Sequence, residues 1–239
     1  VFISGGGSGI GATIVEHFCE QNSKVYFIDI DIKASKKLIN NIKKKKLRIP
    51  NFIECNILDI RKLQNIIKDI IDKEGPINCL INSAANDDRH TTEQVDEKYW
   101  ENRIGINLKH YFFAAQAVVK GMKKIKSGSI VNLSSVSWML GEGDKVVYET
   151  AKSAVVGLTR SFAQEFGKYN VRTNSVIPGS IATERQIKNW LTPKYKKLIL
   201  DSQALKRQLK PDDVARLILF LASDQSSGCT KQSFVVDAG

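Results

Sequence analysis

A chain of 239 residues, 42% hydrophobic and 26% charged, is long enough to bury a substantial core as one α/β domain and has an ordinary globular composition. No apolar run approaches the length that spans a bilayer, and no signal peptide precedes the first strand-like run. Val1 and Gly239 read as ends clipped to an ordered core, which leaves targeting segments outside them open. The formal net charge of +11 is unusual, and Lys43 to Lys46 form a run of four lysines at the end of an expected helix. A helix C-terminus favours cations, so a solvated charged face accounts for the run. Nucleic acid and anionic membrane are the competing partners, but no recognition motif or interleaved aromatics accompany the charge. Cys19, Cys55, Cys79 and Cys229 lack C-x-x-C spacing and sit in apolar patterns, so they read as core residues of a cytoplasmic protein.

Strand-like runs follow at 1–4, 25–28, 51–54, 78–82, 129–133, 172–177 and 233–236. Helical periodicity falls near 10–22, 33–46, 60–73, 97–124, 149–168 and 212–222. Continuously apolar strands alternating with helices predict an α/β fold, a doubly wound seven-stranded parallel sheet covered on both faces. Without repeat, low-complexity tract or linker, residues 1–239 read as one domain. Residues 184–210 break the rhythm, with Trp190, Pro193 and Tyr195 amid lysines after Pro178-Gly179. A substrate lid is expected there, since this architecture binds ligands beyond the carboxyl ends of its strands; a surface excursion without ligand contact is the plainer alternative.

Ser4-Gly5-Gly6-Gly7-Ser8-Gly9-Ile10-Gly11 follows the first strand and opens the first helix. Glycines let the backbone turn sharply and approach a pyrophosphate, while the helix N-terminus supplies N–H groups. Asp29 closes the second strand, 18 positions after Gly11. A carboxylate there accepts from adenosine ribose hydroxyls and repels a 2′-phosphate, which predicts NAD over NADP. Nearby Lys33 partly offsets that repulsion, and Asp29 as a turn residue is the bland alternative. Tyr148 and Lys152 form a Y-x-x-x-K pair, and residues four apart share a helix face. Free tyrosine, with a pKa of about 10, is a poor base until a nearby cation stabilises its phenolate. The spacing alone also suits an exposed helical pair.

Taken together, these motifs resemble the short-chain dehydrogenase/reductase family along the whole chain. The turn at 5–11 is similar to that family's T-G-x-x-x-G-x-G, with Ser4 for threonine. Ser135, 13 residues before Tyr148, stands where the family keeps a substrate-orienting serine, and Asn107 matches the asparagine of its tetrad. Pro178, Gly179, Ile181 and Thr183 match its nicotinamide-cradling segment. The resemblance implies a Rossmann fold, catalysis by Asn107, Ser135, Tyr148 and Lys152, and a homotetramer pairing helices 97–124 and 149–168. In that scheme Lys152 lowers the Tyr148 pKa and binds the nicotinamide ribose, and Asn107 supports a water path. Further cofactor contacts are implied at Gly5, Ser8, Gly9, Ile10, Gly11, Asp29, Asn56, Ile57, Asn82, Ser83 and Ala84. Two departures stand out. The family's N-N-A-G reads Asn82-Ser83-Ala84-Ala85, so Ala85 would strain the turn if positive φ is needed, and an expected aspartate is Asn56, whose oxygen can still accept from adenine.

Three stretches are more particular and resemble bacterial aldose 1-dehydrogenases: residues 82–90, Ser137-Trp138 with the Tyr148 segment, and 183–203 with the tail. A sugar needs directional hydrogen-bond partners and a flat apolar face. Asn86, Asp87, Ser137, Glu149 and Gln186 supply the first, beside Ser135 and Tyr148, and Trp138 or Trp190 the second. Trp138 as a loop anchor, Trp190 as lid packing, and Asp87, Asp88 and Arg89 pairing among themselves are the alternatives. His90 and His110 lack metal-ligand spacing, so no metal is expected. Competing functions are a 3-oxoacyl–carrier-protein reductase using NADPH, a steroid or acetoin-type alcohol dehydrogenase, and a catalytically silent NAD-binding protein.

Overall fold

The computed structural model describes residues 1–239. Its strands are β1 (Phe2–Ser4), β2 (Tyr26–Asp29), β3 (Asn51–Glu54), β4 (Cys79–Asn82), β5 (Gly128–Leu133), β6 (Val171–Pro178) and β7 (Ser233–Val236). Its helices are α1 (Gly9–Glu20), α2 (Ile32–Lys44), α3 (Ile60–Glu74), α4 (Glu97–Ile104), α5 (His110–Ile125), α6 (Ser137–Leu140), α7 (Val146–Phe166), α8 (Glu184–Asn189), α9 (Pro193–Ser202) and α10 (Pro211–Ala222). All strand pairs are parallel, in the order β3-β2-β1-β4-β5-β6-β7. The chain leaves β1 towards one edge and returns to β4 beside it, so the crevice between their carboxyl ends is the topological switch point where such sheets bind ligands.

Side-chain alternation explains why both faces are covered. Phe2, Leu80 and Ile130 pack with Leu63, Ile67, Val118, Phe162 and Phe166 on one side. Their neighbours Ile3, Ile81 and Val131 pack with Ile14, Phe18, Leu38, Val214 and Ile218 on the other. A period of two therefore sends successive apolar residues into two separate cores, as the continuous apolar runs require. Cys19, Cys55 and Cys79 are buried and all four cysteines are free; burial pushes the Cys79 thiol up to about 11. The lysine run ends α2 as expected: Lys43 and Lys44 lie in its last turn and Lys46 takes a left-handed conformation (φ 57°) beyond it.

Two expected boundaries shift. The single helix expected over 97–124 is interrupted by a π-helical turn, Gly105–Lys109, which contains the buried Asn107. The helix expected from 149 starts at Val146, capped by a residue distant in sequence: Val147 N donates to His90 Nε2 at 3.2 Å. Ala85 is not among the positive-φ residues, so the strain anticipated for it does not arise. Residues 184–210 are structured, with α8 and α9 capped by the Thr183 and Thr192 hydroxyls.

His110 is completely buried, its Nε2 3.4 Å from Ser4 Oγ, which in turn accepts from Ser83 N and Ala84 N. Burial first, and the Lys152 charge second, pull the imidazole down from 6.5 to about 3. Between those values the unfolded chain holds a proton that the folded chain does not, so stability falls as pH drops below 6.5, by about 2 kcal/mol at pH 5. Urea titrations of wild type and His110→Gln at pH 7 and pH 5 should show the variant losing less stability over that interval; equal losses would remove His110 from the acid response.

Candidate active site

The glycine turn leads from β1 into α1 at the switch point. Gly5 has φ +69°, and a Cβ there would stand 2.6 Å from Ala84 Cα; a Cβ on Gly11 would sit 1.9 Å from the Gly5 carbonyl oxygen. Gly5 and Gly11 thus have no room for side chains, and a backbone cradle remains at the N-terminus of α1. Ser8 is exposed and makes no side-chain cap, leaving its hydroxyl free over that cradle. Asp29 closes β2 with one carboxylate oxygen accepting from Gly7 N (2.8 Å) and the other from Asp31 N (2.9 Å). Its carboxylate is therefore oriented by backbone beside the turn. A Cβ on Gly9 would lie 3.4 Å from Thr183 Cγ2, so the segment after β6 reaches the glycine turn. These residues fit a dinucleotide: a glycine cradle for phosphates and an oriented carboxylate for a ribose.

Other expected cofactor residues divide. Ile10, Ile57, Ser83 and Ala84 border the same carboxyl edge, and Ile181 is buried against Leu209. Asn56 Oδ1 accepts from Leu58 N at 3.0 Å, which engages the oxygen expected to meet adenine. Asn82 does not turn its side chain outward. It is fully buried, donates to Asn132 Oδ1 at 2.8 Å, and ties β4 to β5. Pro178 and Gly179 end β6, the Pro178 carbonyl accepting from Val136 N and Gly179 N donating to Val236 O.

Across the crevice, Tyr148 and Lys152 share a face of α7, with Lys152 Nζ 5.6 Å from the Tyr148 ring centre. Burial and Asp87 push the Tyr148 phenol well above its usual range, and the Ser135 hydroxyl draws it partly back. Lys152 is 1% exposed, and burial pulls its ammonium down to about 7 while Asp87 opposes. The expected lowering of Tyr148 by Lys152 is not what dominates here. Lys152 Nζ instead donates to Tyr111 Oη (2.9 Å) and the Leu133 carbonyl (2.8 Å). Asn107 is also committed to protein. Its Oδ1 accepts from Asn86 N, and its Nδ2 donates to the carbonyls of Asn86 and Arg103, so it clamps the loop after β4 instead of offering a free amide to water.

The candidate substrate residues form a polar rim with internal partners. Ser137 is buried, with its hydroxyl 3.0 Å from that of Ser135. Trp138 Nε1 donates to Ser134 Oγ at 3.2 Å, which ties the indole to the end of β5. The Trp190 ring is covered at 5.0 Å by the Arg89 guanidinium, so one of its two faces is taken. Asn86 Oδ1 accepts from Asp88 N. Gln186 Nε2 donates to Asp87 Oδ2, and Arg185 pairs with both Asp87 and Asp88. Glu142, Asp144 and Glu149 bring carboxylate oxygens within 4.8 Å of one another, and the Lys145 ammonium pairs with the first two. Tyr195 Oη donates to Glu142, so 184–210 is fastened to both the 86–90 and 142–145 loops.

Sequence reasoning passed over Tyr111, His90 as the cap of α7, and Asp87 as the main carboxylate acting on Tyr148 and Lys152. Tyr111 had a usable signal: it lies four residues after Asn107, on the same helical face.

The fold and this crevice are those of the doubly wound, dinucleotide-binding class. A family model described as Enoyl-(Acyl carrier protein) reductase matches residues 5–239. D-xylose 1-dehydrogenase of Caulobacter vibrioides is 41% identical over 239 residues, covering 100% of this chain and 94% of that one. A probable galactose dehydrogenase of Rhizobium meliloti is 39% identical, covering 100% and 93%. Among solved structures, a 3-oxoacyl-[acyl-carrier protein] reductase with bound NAD from Brucella melitensis superposes with TM-score 0.88 at 26% identity, over 100% of this chain and 89% of that one. The chain belongs to the short-chain dehydrogenase/reductase family and is an oxidoreductase acting on CH–OH groups.

Because Arg185 bridges Asp87 and Asp88, Arg185→Ala should loosen α8 and α9 without touching the sheet. Limited proteolysis is expected to cut within 184–210 several-fold faster in the variant, with little change in Tm; an unchanged cutting rate would mean the ion pairs do not hold the segment.

Proposed function

We propose that the protein oxidises the C1 hydroxyl of a free aldose with NAD, giving the 1,5-lactone, which hydrolyses to the aldonic acid. The carrying observation is full-length similarity at about 40% to two sugar dehydrogenases, extending through the loops that rim the crevice. The rim's chemistry supports it. Asp87, Gln186 and Glu149 offer directional polar groups, and Glu149 Oε1 and Trp190 Nε1 are buried without hydrogen-bond partners, as groups awaiting a polyol would be.

The nicotinamide of the cofactor supplies the hydride acceptor. Gly5, Ser8, Gly9, Ile10 and Gly11 would hold its pyrophosphate, and Asp29 its adenosine ribose. Asn56 and Ile57 would border the adenine, Ser83 and Ala84 the middle, and Pro178, Gly179, Ile181 and Thr183 the carboxamide. Ser135 donates a hydrogen bond to the C1 oxygen, and Ser137 steadies it from behind. Tyr148, as the phenolate, takes the hydroxyl proton and becomes the phenol as the C1 hydride leaves for the nicotinamide; Lys152, through its charge, makes the phenolate that precedes this step less costly. Asn107 serves by holding the Asn86 loop in place. Residues 184–210 act as the lid that keeps water from the crevice.

Carrier-protein reduction with NADPH is the second reading, favoured by the +11 charge, which suits an acidic partner. Cys19, Cys55 and Cys79 are buried thiols, which supports the cytoplasmic location proposed for the enzyme, and no helix is long and apolar enough to cross a membrane. Exposed Trp100 and Phe112 on α4 and α5 suit the helix-pairing face of a homotetramer.

Purified protein should reduce NAD with one or two members of a panel of aldoses, and Tyr148→Phe should lose nearly all turnover while NAD affinity stays within a few-fold. NADPH oxidation by a β-ketoacyl thioester, with silence on sugars, would replace this reading by the second. NAD should be preferred over NADP in kcat/KM, and Asp29→Ala should narrow that preference by roughly tenfold, the scale of one lost charged contact; clear NADP preference in wild type would overturn the role of Asp29.

A further inference from the structure

We infer that Tyr111 is a positioning residue for the reaction, fixing the Lys152 ammonium so that its remaining N–H faces Tyr148 and the cofactor cleft. Three bonds form a closed triangle. Lys152 Nζ donates to Tyr111 Oη at 2.9 Å and to the Leu133 carbonyl at 2.8 Å, and Tyr111 Oη donates to the same carbonyl at 2.9 Å. A phenol has one proton, and Tyr111 gives it to Leu133, so the oxygen it presents to Lys152 can only accept. An ammonium has three donors. Two are spent on this wall, which leaves one to point away from it, towards the side where Tyr148 stands.

The triangle is rigid. Tyr111 is fully buried at the start of α5, directly after the π-helical turn that contains Asn107, and its ring lies 5.1 Å from Lys152 Nζ. The titratable groups facing the ammonium are His110 and Tyr111 on α5, Tyr148 on α7, and Asp87 on the loop after β4. Burial and Tyr148 hold the Tyr111 phenol far above its usual range, so it stays neutral and does not exchange protons with its neighbours. That distinguishes it from Tyr148: both rings flank the same lysine, one as a fixed acceptor behind it and one as the proposed acid–base group in front. Losing the acceptor leaves the lysine with a single anchor, the Leu133 carbonyl, so its orientation towards Tyr148 is no longer fixed.

The inference rests on Lys152 acting in catalysis, and the experiment separates the two. Tyr111→Phe keeps the ring and its packing. Assays use NAD with D-xylose or D-galactose, whichever the wild type turns over. The expected result is a fall in kcat of roughly tenfold, the scale of one hydrogen bond to a charged group, with the rising limb of kcat against pH moved up by about one unit. KM for the sugar should stay within about twofold, and Tm should change little. In a Lys152→Met background, adding Tyr111→Phe should cost nothing further. Wild-type kcat in Tyr111→Phe overturns the inference; so does a fall in kcat with the limb unmoved, or an equal further loss in the Lys152→Met background, since packing alone would do that. Wild-type kcat in Lys152→Met would overturn the catalytic assignment and this inference with it, whereas an inactive Lys152→Met beside an unaffected Tyr111→Phe overturns this inference alone.

Discussion

An ammonium buried at the end of the sheet sets the terms for everything around it. Lys152 is 1% exposed, and taking such a charge out of water costs several kcal/mol unless polar groups replace its hydration. The fold supplies two. β4 ends at Asn82, paired with Asn132, so the carbonyl of Leu133, one residue further along β5, is left available to the lysine. Tyr111 offers the second oxygen from α5. The replacement is partial, which is why the ammonium is drawn down to about 7 and sits near the point where it can give up its charge. A more generous set of acceptors would hold the cation more firmly. A poorer set would leave a neutral amine.

The second layer of the site is electrostatic and lies in the loops. Asp87 raises both Tyr148 and Lys152, and it is itself held by Arg185 and Gln186 from α8. Any motion of 184–210 that releases Asp87 therefore reaches the proposed acid–base pair without touching it directly. Asn107 fixes the same loop from below by accepting from and donating to the backbone of Asn86, a bidentate clamp that resists a shift in register. Two elements far apart in sequence, the π-helical turn and α8, thus set the position of one carboxylate.

The sheet was legible because its signal is local: seven apolar runs separated by amphipathic helices leave few alternatives once every strand must be parallel. The glycine turn and the Tyr148–Lys152 pair were legible as spacing, since a turn and a helix face are themselves short-range objects, whereas Ser135 and Asn107 came only from the family resemblance. What stayed hidden depends on partners distant in sequence. The start of α7 is set by His90, 57 residues away, so no helical pattern around residue 146 reveals it. Ser137 and Trp138 read as lining groups by type and place, yet Ser135 and Ser134 claim their polar atoms. Asn82 reads as a cofactor contact by position, but its partner Asn132 lies on the adjacent strand. A π-helical turn adds one residue without changing the apolar pattern enough to show, so 97–124 looks like one helix.

The same satisfied contacts constrain how the rim can select a substrate. Asp87, Gln186 and Arg185 already bond one another, and so a sugar hydroxyl gains only what it offers beyond the pair it displaces. A hydroxyl of the wrong orientation both fails to bond and leaves a carboxylate or amide unpaired in a half-buried site, which is the costlier half of the exchange. For the aldose substrate proposed above, discrimination would follow less from the number of polar residues than from which existing pair must be broken to admit each epimer. Glu149 Oε1 and Trp190 Nε1 differ in kind, because neither has a protein partner to give up. In the proposed reaction, a hydroxyl bonded to either atom would gain binding without a trade, and the Asp87 cluster would be the part of the rim that sets selectivity.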